Sequence, residues 1–171
     1  MLEKRRVAVF GAGYIGLVTG ACLAKLGHDV VVRDIQKERI DILRNGGVPI
    51  HEPGLEELIA ENVDRLTFTL DAEEAVRDSD IVYVCVDTPP TPSGDADLTR
   101  IWQVISTLRE ARHLAAVVVK STVPVGTGAR VRTAMDRVGL QHVGYASNPE
   151  FTAEGRAVHL PAPGPRRDRC R

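Results

Sequence analysis

Three glycines, Gly11, Gly13 and Gly16, follow the apolar run Val7–Phe10 and open a segment with helical periodicity. Each has its own task in that setting. Gly11 allows a tight turn, Gly13 leaves bare backbone that a pyrophosphate can approach, and Gly16 lets the helix pack close to the strand. The N–H groups at the start of the helix, around Tyr14, Ile15 and Gly16, and the helix dipole favour a phosphate charge. Asp34 ends the next apolar run about twenty residues on, where a carboxylate accepts hydrogen bonds from an adenine ribose. The alternative is a plain glycine turn with a surface aspartate. Strand, turn, helix and acid all agree on a dinucleotide site instead. A carboxylate repels the 2′-phosphate of NADP, so the expected cofactor is NAD. Arg33 and Arg39 lie nearby and can soften that preference. Arg39, one helical turn past Asp34, is open to covering the adenine, pairing with the acid or standing solvated.

Other candidates lie beyond later strands. Thr88, in Val86-Asp87-Thr88-Pro89-Pro90, stands where open α/β sheets bind ligands. Its hydroxyl either faces a ligand or caps a turn beside the prolines. Thr122, in Ser121-Thr122-Val123-Pro124, has the same two readings. Lys120 reads as a strand-end surface charge. Glu150 and Glu154 share a face if their segment is helical, and taken alone they read as solvated. His28 and His51 have no partner pattern and read as surface residues. Cys22, Cys85 and Cys170 show no metal-ligand spacing, so no metal is expected. Cys22 and Cys85 read as buried core thiols.

The elements that must position these residues alternate along the chain. Strands are expected over 7–10, 30–33, 66–69, 81–86, 116–120 and 143–146. Helices are expected over 14–26, 36–44, 72–77 and 128–138, with one opened by Pro53 and running to Ala60. Leu98, Ile101, Trp102, Ile105 and Leu108 make one buried helical face. The strands are continuous apolar runs, as a parallel sheet covered on both faces requires. The expected fold is a doubly wound, Rossmann-type α/β sheet of about six strands with helices on both faces. It spans 1–158. The remainder, 159–171, reads HLPAPGPRRDRCR, with little to bury, and is expected to be a disordered tail. A shifted reading frame in a GC-rich gene is the expected origin of such a tail.

Composition excludes several classes. The 171 residues carry a formal net charge of −1 and only 4% aromatics, so neither a basic field nor stacking platforms point to nucleic acid. No apolar stretch approaches membrane-spanning length and no secretory signal stands at the start, so no membrane is expected. Cysteine usage points to a reducing compartment, the cytoplasm.

The segments GAGYIGLVTGACLAKLGHDVVVRDI, HEPGLEELI, VCVDTPP, KSTVPVGT and SNPEF then appear in order. From about Arg6 to Val158 the chain resembles the UDP-glucose/GDP-mannose dehydrogenases. The resemblance implies NAD-dependent, four-electron oxidation of a sugar-nucleotide alcohol to a carboxylate. It places Thr88 at the cofactor, Thr122 beside a water near the nicotinamide, Glu154 near the nicotinamide and Glu150 in the later hydrolysis. The backbone around Phe151 would touch the substrate. Thr152 and Ala153 depart from the family's usual leucine and arginine, which alters the local substrate contacts. EPGLEELI and DTPP…DADL lean toward UDP-glucose over GDP-mannose or an N-acetylmannosamine nucleotide. The family also implies a nucleophilic cysteine with lysine and asparagine partners in a C-terminal half. It implies a central helix that builds a homodimer as well. None of these segments is in this chain, and Cys170 does not match the nucleophile's surroundings. Two other readings compete: a stand-alone NAD(H)-binding module, and a hydroxyacid dehydrogenase, against which VDTPP, STVPVGT and NPEF argue.

Overall fold

A computed structural model describes residues 3–149, Gly155 and Val158. The expected domain end and the 159–171 tail therefore lie largely outside the described residues. The elements follow in the order β1 (Arg6–Phe10), α1 (Tyr14–Lys25), β2 (Asp29–Arg33), α2 (Lys37–Arg44), α3 (Leu55–Glu61) and β3 (Leu66–Thr69). Next come α4 (Ala72–Val76), β4 (Ile81–Val84), α5 (Thr99–Thr107), β5 (Ala116–Val119), α6 (Thr127–Arg137) and β6 (Gly144–Ser147).

The strands form one sheet in the order β3-β2-β1-β4-β5-β6. Every pairing is parallel, with Val7 opposite both Val30 and Ile81 at its centre. The chain winds outward from β1 to β3 and then crosses back to β4 on the other side of β1. Connections therefore leave β1 and β4 in opposite directions, and a crevice opens beyond their carboxyl ends.

Side chains alternate between the faces of a strand, so a strand covered on both sides reads as unbroken apolar sequence. In β1, Val7 and Val9 join Leu17, Ala21, Ile40, Leu55 and Leu58 in one core cluster. Ala8 and Phe10 join Ile101, Ile105, Val131 and Met135 in the other. β6 is different: only Tyr145 is half-buried, and its neighbours are exposed. An edge strand has a partner on one side alone, so the apolar run expected there is not required.

Local departures have local causes. Pro53 does not open the helix. Glu52 O accepts the Leu55 N–H at 3.1 Å, and Gly54 has φ 80° and ψ −1°. Pro at the second and a left-handed Gly at the third position make a type II turn, and α3 starts after it. Cys22 is half-buried rather than in the core, whereas Cys85 is buried. Partial burial pushes the Cys22 thiol up, with Lys25 acting in the opposite direction. His28 is half-buried, and its Nδ1 accepts the Arg5 N–H at 3.2 Å; His51 is exposed.

Candidate functional site

The three glycines fill distinct niches at the crevice. Gly11 leaves β1 with φ 108°, and a Cβ there would lie 2.4 Å from the Cys85 carbonyl oxygen. A Cβ on Gly16 would lie 1.7 Å from the Gly11 carbonyl oxygen. Both positions are closed by backbone. At Gly13 the nearest atom is Arg39 Nη1, 3.8 Å away, so the missing side chain faces open space. No side chain caps α1 and no acid stands in its first turn, so the positive end of the helix is directed at that space.

Asp34 follows β2 and is 6% exposed. Its Oδ2 accepts the Ala12 N–H at 2.6 Å and its Oδ1 accepts the Gln36 N–H at 2.8 Å. Arg39 Nη1 lies 3.6 Å from Oδ2. The carboxylate thus braces the glycine loop against the start of α2. An ionised carboxylate has about four acceptor sites, so capacity remains for ribose hydroxyls. The bracing was not legible in the sequence, because nothing in it sets Ala12 against Asp34. Of the uses open to Arg39, pairing with Asp34 is present, in a position that also reaches toward Gly13. Arg33 turns away: its Nε donates to Leu70 O at 3.3 Å, and burial lowers its pKa against the opposing pull of Asp34 and Asp71.

Two clefts meet along the switch point. One is lined by Gly11, Asp34, Arg39 and Val86. The other, about 420 Å³, is lined by Gly13, Tyr14, Ile15, Thr88, Lys120 and Thr122. Val86 and Asp87 line both. The pair of clefts suits an elongated ligand.

The Thr88 hydroxyl donates to the Thr122 carbonyl at 2.8 Å, which joins the loops after β4 and β5. Its oxygen still has lone pairs to accept with. Thr122 is exposed at the mouth of the cleft. Ser121, not singled out in the sequence, is 9% exposed, and its Oγ donates to Val86 O at 2.6 Å. A hydroxyl directly after an apolar strand is the only signal that pointed to it. Lys120 is no simple surface charge: it is half-buried and donates to Asn148 Oδ1 at 3.1 Å. Glu150, Phe151 and Glu154 lie outside the described residues.

The sequence pattern of the UDP-glucose/GDP-mannose dehydrogenase family, NAD binding domain, matches residues 5–165. The chain belongs to this family. It is 46% identical over 160 residues to the UDP-glucose 6-dehydrogenase TuaD of Bacillus subtilis, covering 91% of this chain and 35% of that protein. A UDP-glucose 6-dehydrogenase of Pseudomonas aeruginosa is 44% identical over 162 residues, covering 90% of this chain and 36% of that protein. Among solved structures, a UDP-glucose dehydrogenase from Pyrobaculum islandicum has a TM-score of 0.81 at 38% identity, covering 91% of this chain and 38% of that one. The GDP-mannose dehydrogenase of Pseudomonas aeruginosa, in a ternary complex, has a TM-score of 0.83 at 36% identity, covering 90% of this chain and 38% of that one. This NAD-binding domain thus spans about a third of the length of the curated relatives it matches. Among the described residues, no helix is long and apolar enough to cross a membrane.

Proposed function

We propose that this domain is the cofactor-holding part of a dehydrogenase that oxidises UDP-glucose to UDP-glucuronate with two NAD. The observation that carries the cofactor half of this reading is the contrast among the glycines. Backbone closes Gly11 and Gly16, while Gly13 opens onto a cleft at the positive end of α1. The substrate half is supported by relatives named for UDP-glucose at 46% and 44% identity. GDP-mannose is the alternative, supported by 39% identity to GDP-mannose 6-dehydrogenases.

The residues divide the work. Gly13, with the backbone of Tyr14 and Ile15, receives the diphosphate, and Gly11 and Gly16 shape the turn. Asp34 accepts from the adenine ribose, and Arg39 covers that side of the cleft. Thr88 and Thr122 line the other end, where Thr122 orients a water. NAD, when bound, supplies the hydride acceptor. Glu154 would stand near it, Glu150 would serve the hydrolytic step, and Phe151 backbone would meet the sugar nucleotide. Full-length proteins of this kind would pair as homodimers. The 171-residue chain alone binds NAD and does not turn over UDP-glucose; among the described residues the cysteine that lines the cleft, Cys85, is buried directly after β4 rather than presented as a nucleophile.

Calorimetric titration of the purified chain tests the reading. NAD should bind, NADP should bind more weakly, and Gly13→Val should bind neither. Equal affinity for the two cofactors, or undiminished binding by Gly13→Val, would sink it.

A further inference from the structure

Asp87 stands at the junction of the two clefts. It is exposed and lines both, so a ligand that runs from one into the other passes it. A dinucleotide carries its diphosphate charge along that path, and a bare carboxylate there would oppose it. Asp87 is not bare. Arg100 Nη1 donates to its Oδ2 from the first turn of α5. The connection between β4 and α5 doubles back to bring them together. Pro90 bridges Ala96, the Asp97 N–H donates to Pro89 O at 2.8 Å, and Asp97 Oδ1 accepts the Thr99 N–H at 2.9 Å. Ile101 and Ile105 of α5 are buried in the core. That leaves Arg100 and Gln103, three residues apart on the helix, to line the cleft that holds Asp34.

We propose that Arg100 is a specificity-determining residue of the cofactor cleft: its guanidinium cancels the Asp87 carboxylate and so opens the junction to a nucleotide diphosphate. The proposal rests on the reading of the cleft as a dinucleotide site. The two side chains are 37% and 57% exposed, and an ion pair in such surroundings contributes little to folding. At a cleft wall it acts on the ligand instead. Paired, the two side chains present no net charge. Without Arg100, one uncompensated negative charge faces the diphosphate path. The cleft thus repeats one arrangement on its two walls, an acid beyond the end of a strand and an arginine from the helix that follows. On one wall Arg39 lies 3.6 Å from Asp34; on the other Arg100 holds Asp87. The two acids differ in their surroundings. Asp34 is buried and braced by backbone N–H groups, whereas Asp87 is exposed to whatever enters. Gln103 and Ile35, which share the lining with Arg100, are uncharged, so the pair sets the charge at this wall.

The test uses the whole 171-residue chain as wild type, Arg100→Leu, Asp87→Asn and the double variant. ADP is titrated by calorimetry and adenosine, its uncharged counterpart, by NMR shifts. Arg100→Leu leaves one negative charge at the junction and should weaken ADP about tenfold. Asp87→Asn leaves one positive charge and should tighten ADP severalfold. The double variant again presents no net charge and should bind ADP within about twofold of wild type. Adenosine should bind alike in all four chains, and added salt should shrink the differences for ADP. An Arg100→Leu chain that binds ADP like wild type overturns the proposal. A double variant as weak as Arg100→Leu overturns it too, as does a parallel loss of adenosine binding, because each makes Arg100 a contact rather than a counter-charge. Thermal unfolding checks that every chain is folded. If Arg100→Leu is not, Asp87→Asn still decides: ADP affinity no tighter than wild type overturns the proposal. A wild-type chain that binds neither NAD nor ADP refutes the reading of the cleft itself, and the role of Arg100 falls with it.

Discussion

Replacing each of the three loop glycines in turn should separate folding from binding. A methyl group at Gly16 would sit 1.7 Å from the Gly11 carbonyl oxygen. Ordinary carbon contacts lie at about 3.5–4.0 Å. Both sides of this contact are backbone, so either α1 lifts or the turn opens. Overpacking in a core that can yield costs about 1–3 kcal/mol. Here the upper end applies, and ~3 kcal/mol lowers the Tm of a domain of this size by about 6–12 °C. Gly11→Ala should be worse, since φ 108° adds strain to a 2.4 Å approach. At Gly13 the same methyl meets only Arg39 Nη1 at 3.8 Å, and φ −80° with ψ −170° suits any residue. Gly13 is the N-cap of α1, where valine is a poorer cap than glycine, so Gly13→Val should cost about 1 kcal/mol and no more. Its side chain would still occupy the space proposed for the diphosphate. NAD affinity should fall about a hundredfold, or ~2.7 kcal/mol. Thermal unfolding and calorimetry on the three variants decide the matter. A Gly13→Val chain that unfolds like Gly16→Ala, or that binds NAD normally, would refute the division of labour.

The remaining expectations are briefer. Asp34→Ala removes a charged acceptor from two backbone N–H groups and from the ribose; at about 1.5–3 kcal/mol for hydrogen bonds to charged groups, NAD binding should weaken tenfold or more and Tm should drop. Ser121→Ala unties the loops after β4 and β5 and should lower stability by about 1 kcal/mol in urea unfolding without abolishing NAD binding. Burial raises the Cys22 thiol above its ordinary value near 9.0, so the unfolded chain loses that proton first. Stability should be complete below that value and decline as pH rises through the higher folded one, and Cys22→Ala should lessen the decline. NADH production from UDP-glucose by the 171-residue chain should not exceed that of a Gly13→Val control; steady turnover would overturn the proposal that catalysis needs residues beyond this domain.

The elements were legible because the core demands a simple pattern. Val7–Phe10, Val30–Val32 and Ile81–Val84 are apolar without a break because both faces of the central strands are covered, and that shows in the residues themselves. Gly11 and Gly16 were legible because each answers a local steric need, whereas Gly13 is free of one. Contacts between distant segments were not legible. Lys120 reads as a surface charge until Asn148 is folded beside it. His28 reads as exposed until the backbone of Arg5 reaches it. Asp34 announced an acceptor, but its grip on Ala12 depends on how β1 and β2 line up. The Pro53 misplacement has a different origin: proline suits both the first turn of a helix and the second position of a type II turn, and the following glycine decides between them.

The crossing from β3 back to β4 also sets the order in which this molecule comes into being. Val7 pairs with Val30 early in the chain, but its other neighbour, Ile81, arrives only after two strands and four helices have been made. Joining segments so far apart closes a long loop before any reward is gained, which makes such pairings slow. The cleft beside Gly11 is walled by Cys85 and Val86, which follow β4. A partly folded chain holding only the first three strands would own the glycine loop and its aspartate and still have no pocket. Cofactor capture during refolding would thus act as a clock for the docking of β4, separate from the earlier gain of helix.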